Sequence, residues 1–141
     1  MSFPRPLAGS GDLNFSFSGL KTSVLYWLKK RPPAPLSPDL VSAVGRGFQD
    51  AVRDVLLKKT EEAVRKVRAR CLLLAGGVAR NESLRTGAGE LAETHGIPLL
   101  CAPLRYCTDN GVMVAALAWR KYADGARDDF TMDIAPGLKL C

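Results

Sequence analysis

The chain has little with which to build a reaction centre of its own. Histidine occurs once, at His95, and the four cysteines, Cys71, Cys101, Cys107 and Cys141, show no Cys-x-x-Cys spacing. A zinc centre needs three or four His, Cys or carboxylate ligands at short spacings, so reduced, buried thiols that behave as small hydrophobes are expected instead. No H-E-x-x-H, G-x-S-x-G or G-x-x-x-x-G-K-[ST] occurs, which leaves zinc-protease, serine-hydrolase and Walker-loop chemistry without carriers. Ser18-Gly19-Leu20-Lys21 matches S-x-x-K, but Lys21-Thr22-Ser23 is not K-T-G and S-D-N is absent, so penicillin-binding chemistry gains no support. No apolar run approaches the roughly 20 residues of a membrane span. Met1–Leu7 carries two prolines and an arginine, not the apolar, cleavable succession of a secretory signal, and a cytoplasmic location is expected. Internal repeats and low-complexity stretches are absent too.

What is present is ordinary for a water-soluble fold. The 141 residues are 47% hydrophobic and 24% charged, sufficient for one domain over residues 1–141. Twenty basic against fourteen acidic residues give a net charge of +6, a balance that favours a polyanionic partner. Six of the bases fall between Lys58 and Arg70, opposed only by Glu61 and Glu62. They suit nucleic-acid contact and equally a helix C-terminus, whose dipole favours cations.

Periodicity divides the chain into alternating elements. Phe15 and Phe17 alternate as in a short strand, and Ser18 can cap a helix carrying Leu20, Val24, Trp27 and Leu28. Residues 31–38 form a Pro-rich connector. Ser37-Pro38-Asp39 then opens a long amphipathic helix reaching Val67, with Gly45 and Gly47 as candidate kinks. Cys71–Ala75 reads as a strand buried on both faces, followed by a helix from Glu82 to His95-Gly96, with His95 exposed at its end. Ile97–Ala102 is the next strand, and Thr108 or Asp109 caps a last helix ending near Tyr122. Strand, helix, strand, helix predicts a small, mainly parallel α/β sheet with right-handed crossovers. The tail, residues 127–141, is weakly patterned and is expected to wrap the domain edge.

Two strand-to-helix turns can carry chemistry, because open α/β sheets bind ligands beyond the carboxyl ends of their strands. In Ala75-Gly76-Gly77-Val78-Ala79-Arg80-Asn81, two residues without Cβ allow a ligand close to the backbone, while plain turn formation explains them as well. In Cys107-Thr108-Asp109-Asn110-Gly111, Asp109 is either a helix cap or a metal ligand, and the local pattern favours the cap.

Taken together, Phe3-Pro4-Arg5-Pro6, Phe15-Ser16-Phe17-Ser18-Gly19-Leu20-Lys21-Thr22, Phe48-Gln49-Asp50-Ala51-Val52 and the two turns just quoted resemble, in order, signatures of the TsaD/Gcp family. That resemblance implies the actin-like ATPase fold of sugar kinases and Hsp70, here a partial lobe from the C-terminal portion. It implies transfer of a threonylcarbamoyl group from threonylcarbamoyl-adenylate to N6 of the adenosine 3′ of the tRNA anticodon. It assigns Gly76, Gly77 and Asn81 to the nucleotide part of the donor, and Asp109 to one divalent metal, iron or zinc, acting as a Lewis acid.

The departures from the family pattern matter as much. Its His-x-x-x-His helix, source of the other metal ligands, is missing, and Arg80 stands where a small residue is usual. The expectation is therefore a fragment that is inactive and metal-free alone, with tRNA and other threonylcarbamoyladenosine-synthesis subunits as partners of the whole enzyme. The alternative is a non-catalytic module binding a nucleotide, tRNA or a partner. The older endopeptidase label of the family has no protease constellation behind it here. Removal of a lobe also predicts a homo-oligomer, through unpaired strand edges or through the long helix.

Overall fold

The computed structural model describes residues 1–32, 34–131, 133 and 137. Most of the expected edge-wrapping tail lies outside them. Ser37 starts the longest element: its backbone is extended and its hydroxyl accepts from the Leu40 N–H, with Pro38 in the first helical position where a missing N–H costs nothing. Helix α2 then runs Pro38–Val67, about 45 Å at 1.5 Å per residue. It continues through both glycines. Gly47 serves close approach instead, since a Cβ there would lie 2.7 Å from the Met1 carbonyl oxygen.

Two layers pack on α2. On one side sit the N-terminal segment and α1 (Ser18–Lys29), with Phe3, Leu20 and Ala51 buried at the centre and Phe17, Val24, Trp27, Val44, Phe48 and Val52 around them. The Phe3 and Trp27 rings meet edge to face at 6.5 Å. On the other side lies α3 (Glu82–Thr94), where Leu84, Gly87, Ala88 and Ala92 are buried. Gly87 lets the helices close in, for a Cβ there would meet Leu57 Cδ1 at 2.4 Å. His95 caps the C-terminal end of α3. It is not exposed as expected: only 18% of its side chain is accessible, and Nε2 lies 3.5 Å from the Glu61 carboxylate on α2.

Helix α3 is the crossover between β1 (Leu72–Leu74) and β2 (Leu99–Cys101), which pair parallel with Leu73 opposite Leu100. The parallel sheet is as expected; burial on both faces is not. Leu73 is 69% and Leu100 54% exposed, because the described residues place a helix on one face only. Cys71 is exposed as well, whereas Cys107 is buried, its Sγ donating to the carbonyls of Ala102 and Pro103. After a short 3-10 turn at Leu104–Tyr106, helix α4 spans Gly111–Ala123 and buries none of its residues. No strand forms at Phe15–Phe17; those rings pack on each other at 5.6 Å. Helix α1 begins at Ser18 after Phe17, without a side-chain cap.

The basic run divides. Lys59 is 3% exposed and donates to the Ser10 hydroxyl and the Asp12 carbonyl, with the carboxylates of Asp12 and Glu62 at 3.6 and 3.5 Å. It straps the segment around Ser10–Asp12 onto α2 and faces no external partner. Arg65 pairs with Glu61. No helix among the described residues is long and apolar enough to cross a membrane.

Two consequences are measurable. Leu20→Ala opens a cavity at the centre of the α1–α2 layer and is expected to cost about 2–5 kcal/mol in denaturant unfolding. Hydrogen bonds from Ser10 and Asn14, then the charge of Lys59, hold the Asp12 carboxyl down at about 2. A depressed carboxyl stabilises the fold above its unfolded value of 3.8 and loses that contribution as pH falls toward 2. Asp12→Asn should flatten thermal stability against pH across that window; an unchanged slope would assign the acid sensitivity to other carboxylates.

Candidate functional site

The two turns singled out in the sequence meet beyond the carboxyl ends of β1 and β2. Gly76 has φ +87°, a conformation L side chains rarely adopt, and it turns the chain out of β1 into a 3-10 turn, Gly77–Arg80. A Cβ on Gly77 would lie 3.9 Å from the Cys107 carbonyl, so the second turn passes close by. Between them is a cavity of about 420 Å³ lined by Ala75, Gly76, Gly77, Tyr106, Cys107, Thr108, Asp109 and Met113. Gly76, Gly77 and Asp109 are thus brought together.

Asp109 is not the helix cap. Asn110 takes that role, its Oδ1 accepting from the Met113 N–H at 3.0 Å, and neither Thr108 nor Asp109 is used. The register puts Asp109 one residue before the cap, exposed at the cavity wall. Its carboxylate is free of capping duty.

Asn81 stands apart from that cavity, and its side chain is occupied on both sides. Oδ1 accepts from the Leu84 N–H and caps α3, while Nδ2 donates to Gln49 Oε1 on α2 at 3.1 Å. It lines a second cavity of about 250 Å³ between α2 and the Gly-Gly turn, walled by Phe48, Val52, Leu56, Val78 and Leu84, with Gln49 and Arg53 as polar edges. Arg53 Nε is a buried donor without a hydrogen-bond partner among the described residues. Such a donor costs about 1–3 kcal/mol unless an acceptor arrives.

Sequence reasoning missed Arg85. Its guanidinium donates to the Ala79 carbonyl at 3.0 Å and twice to the Ala102 carbonyl at 3.3 Å, tying the first turn to the end of β2. The only available signal was its place one helical turn after the Asn81 cap, which marks a first-turn residue without naming its partners.

Among the described residues no three His, Cys, Asp or Glu side chains come together to hold a metal ion. The site carries one carboxylate and does not by itself make up a metal centre.

A small parallel sheet with a glycine turn and a carboxylate at its carboxyl end defines an α/β lobe of the kind that holds ligands beyond its strand ends. The sequence model of TsaD, tRNA N6-adenosine threonylcarbamoyltransferase, matches residues 1–116, and the chain belongs to that family. The helix-rich architecture with its two-stranded sheet is a partial lobe of the family's actin-like ATPase fold. A tRNA N6-adenosine threonylcarbamoyltransferase of Thermosipho africanus is 42% identical over 139 residues, covering 99% of this chain and 41% of that protein. One from Thermosipho melanesiensis is 46% identical over the same span, and one from Burkholderia multivorans is 41% identical over 144 residues. The chain therefore spans about two fifths of the length of these relatives.

Because Asn81 is a working cap, Asn81→Ala should lower stability by about 1 kcal/mol. Asn81→Asp keeps the acceptor and is expected to retain most of that stability. Denaturant midpoints of the two variants check this; equal losses would show that the cap is not what Asn81 contributes.

Proposed function

We propose that this chain supplies the donor-binding half of a tRNA threonylcarbamoyladenosine transferase and is inactive alone. The reading rests on one observation: a cavity lies on each side of the Gly76–Gly77 turn, one reaching Asn81 and the other Asp109. A nucleotide laid across glycines without Cβ meets backbone N–H groups at its phosphate. Its flat base enters the apolar cavity under Val78, whose polar edges are Gln49, Arg53 and Asn81. Its acyl end then reaches the cavity of Asp109. Threonylcarbamoyl-adenylate has these three parts in this order.

Asp109 offers one oxygen to the divalent iron or zinc that the family resemblance implies, and polypeptide beyond this chain completes that site. The acceptor is tRNA, approached by the exposed Lys58, Lys66, Arg68, Arg70 and Arg80. The setting is the cytoplasm, with other threonylcarbamoyladenosine-synthesis subunits as partners. The same exposed bases fit a second reading, a module that binds the nucleotide, tRNA or a partner without catalysis.

Calorimetry with adenosine monophosphate tests the donor site. Gly77→Val, with far-UV circular dichroism unchanged, should weaken binding at least about tenfold, or about 1.4 kcal/mol. Unaltered affinity would remove the turn from the site. In equilibrium dialysis the isolated chain should take up zinc or iron only weakly, and Asp109→Ala should change nothing. A stoichiometric low-micromolar complex lost in Asp109→Ala would show instead that one carboxylate suffices. Mixing the chain with the complementary portion of a relative separates the two readings: restored transfer supports the enzyme, binding without transfer the module.

A further inference from the structure

Arg85 puts a guanidinium in the first turn of α3, at the end of the helix dipole where a cation is disfavoured. Backbone carbonyls account for its place there. The guanidinium donates to the Ala79 carbonyl at 3.0 Å, and through both terminal nitrogens to the Ala102 carbonyl at 3.3 Å. Hydrogen bonds from a charged donor are the stronger kind. Ala102 is also a junction. Its N–H donates to the Leu74 carbonyl at 3.0 Å, just beyond the paired residues of the sheet, and its carbonyl accepts the Cys107 thiol at 3.6 Å as well. A continuous run of hydrogen bonds therefore links the Gly-Gly turn, through Arg85 and Ala102, to Cys107 in the turn that carries Asp109.

We propose that Arg85 is a positioning residue that sets the separation of the two turns, and with it the width of the cavity between Gly76–Gly77 and Asp109. The inference builds on the donor-site reading above. Arg85 lines neither cavity, so it acts through the backbone it holds. The first turn is anchored in two directions: Asn81 and Gln49 fix it to α2 on the nucleotide side, and Arg85 refers it to the Asp109 side. A planar guanidinium fork can hold two carbonyls at a set spacing, which a lysine ammonium on its flexible stem does not. A ligand confined to the nucleotide side needs one turn in place. A ligand that spans both cavities needs the two in register, and small misplacements of that kind are costly.

Two probes separate the ends in calorimetry. One is adenosine monophosphate; the other is threonylsulfamoyl adenosine, in which a stable sulfamate and an acyl end stand where the adenylate has its phosphate. Arg85→Met and Arg85→Lys are each expected to weaken the spanning probe at least about tenfold and adenosine monophosphate less than about threefold. Gly77→Val should weaken both. A merely structural arginine would lower the two affinities alike, and that result overturns the proposal, as does full affinity for the spanning probe in Arg85→Met. Full recovery in Arg85→Lys would overturn the fork as the cause. A measurement without ligand keeps the donor-site reading separate: alkylation of Cys107 by iodoacetamide, resolved from the other thiols by peptide mass. Cys107 is buried and Cys101 half-buried on β2. In Arg85→Met the Cys107 rate should rise at least about tenfold with Cys101 unchanged, because local opening frees the second turn alone. Equal acceleration at both cysteines, or none, overturns the clamp. If neither probe binds the unaltered chain, the donor-site reading falls, and the thiol rates still decide whether Arg85 holds the turns together.

Discussion

Close approach along α2 is the constraint on which the other elements depend. The helix carries glycine or alanine where neighbours press hardest: Gly47 beneath the Met1 backbone and Ala51 beneath Phe3 and Leu20. Its partner α3 answers with Gly87 beside Leu57. Interiors pack near the density of organic crystals, so an added methyl at such a point displaces a whole element. Polar groups on the same helix fix the register of what packs there. Asp54 receives Arg5 from the N-terminal segment at 2.7 Å, Lys59 straps the segment at Ser10–Asp12, and Gln49 holds Asn81. One helix thus positions both the first core layer and the Gly-Gly turn.

What the sequence made legible follows from how far each signal reaches along the chain. Helices α2 and α3 and both strands were readable because three-residue starts such as Ser37-Pro38-Asp39 and unbroken apolar periods are local signals. Phe15–Phe17 imitated strand alternation, but a strand needs a partner edge, and alternation over three residues cannot reveal that none is near. Burial of Leu73 and Leu100 was misjudged for a related reason. A continuous apolar run reports what a complete sheet would bury, not whether covering layers are at hand. Lys59 is the reverse case: its burial depends on Ser10 and Asp12, some forty-nine residues away, which no helical pattern discloses.

The site shows the same division at finer scale. Gly76, Gly77 and Asp109 line one cavity because each sits in a strand-to-helix turn, and topology brings such turns together. Their roles turned on single-residue register. A cap at Asn110 instead of Asp109 converts a structural carboxylate into one facing a cavity. Asn81 joins two tasks: it lines the second cavity while its amide is committed to Leu84 and Gln49. Caps are interchangeable among Ser, Thr, Asp and Asn to within a few tenths of a kcal/mol, so sequence alone leaves neighbouring candidates nearly degenerate. Arg85 lay beyond reach because its acceptors are backbone carbonyls, which carry no residue identity.

Burial along the chain falls toward the end that carries the candidate site. Beyond Ala92 the only described residue with an apolar side chain in the buried class is Cys107, although Leu99–Cys101 and α4 hold some of the most apolar sequence in the molecule. Hydrophobic burial falls away where the fold passes from α3 to the sheet and α4, while secondary structure continues. Backbone hydrogen bonds and caps sustain those elements at short range, but burial at about 25 cal/mol per Å² is what makes a tertiary arrangement rigid. The Gly76–Asp109 cavity lies at that transition, bounded on one side by the α2–α3 layer, to which Arg85 and Gln49 tie the first turn, and on the other by the uncovered start of α4 at Met113.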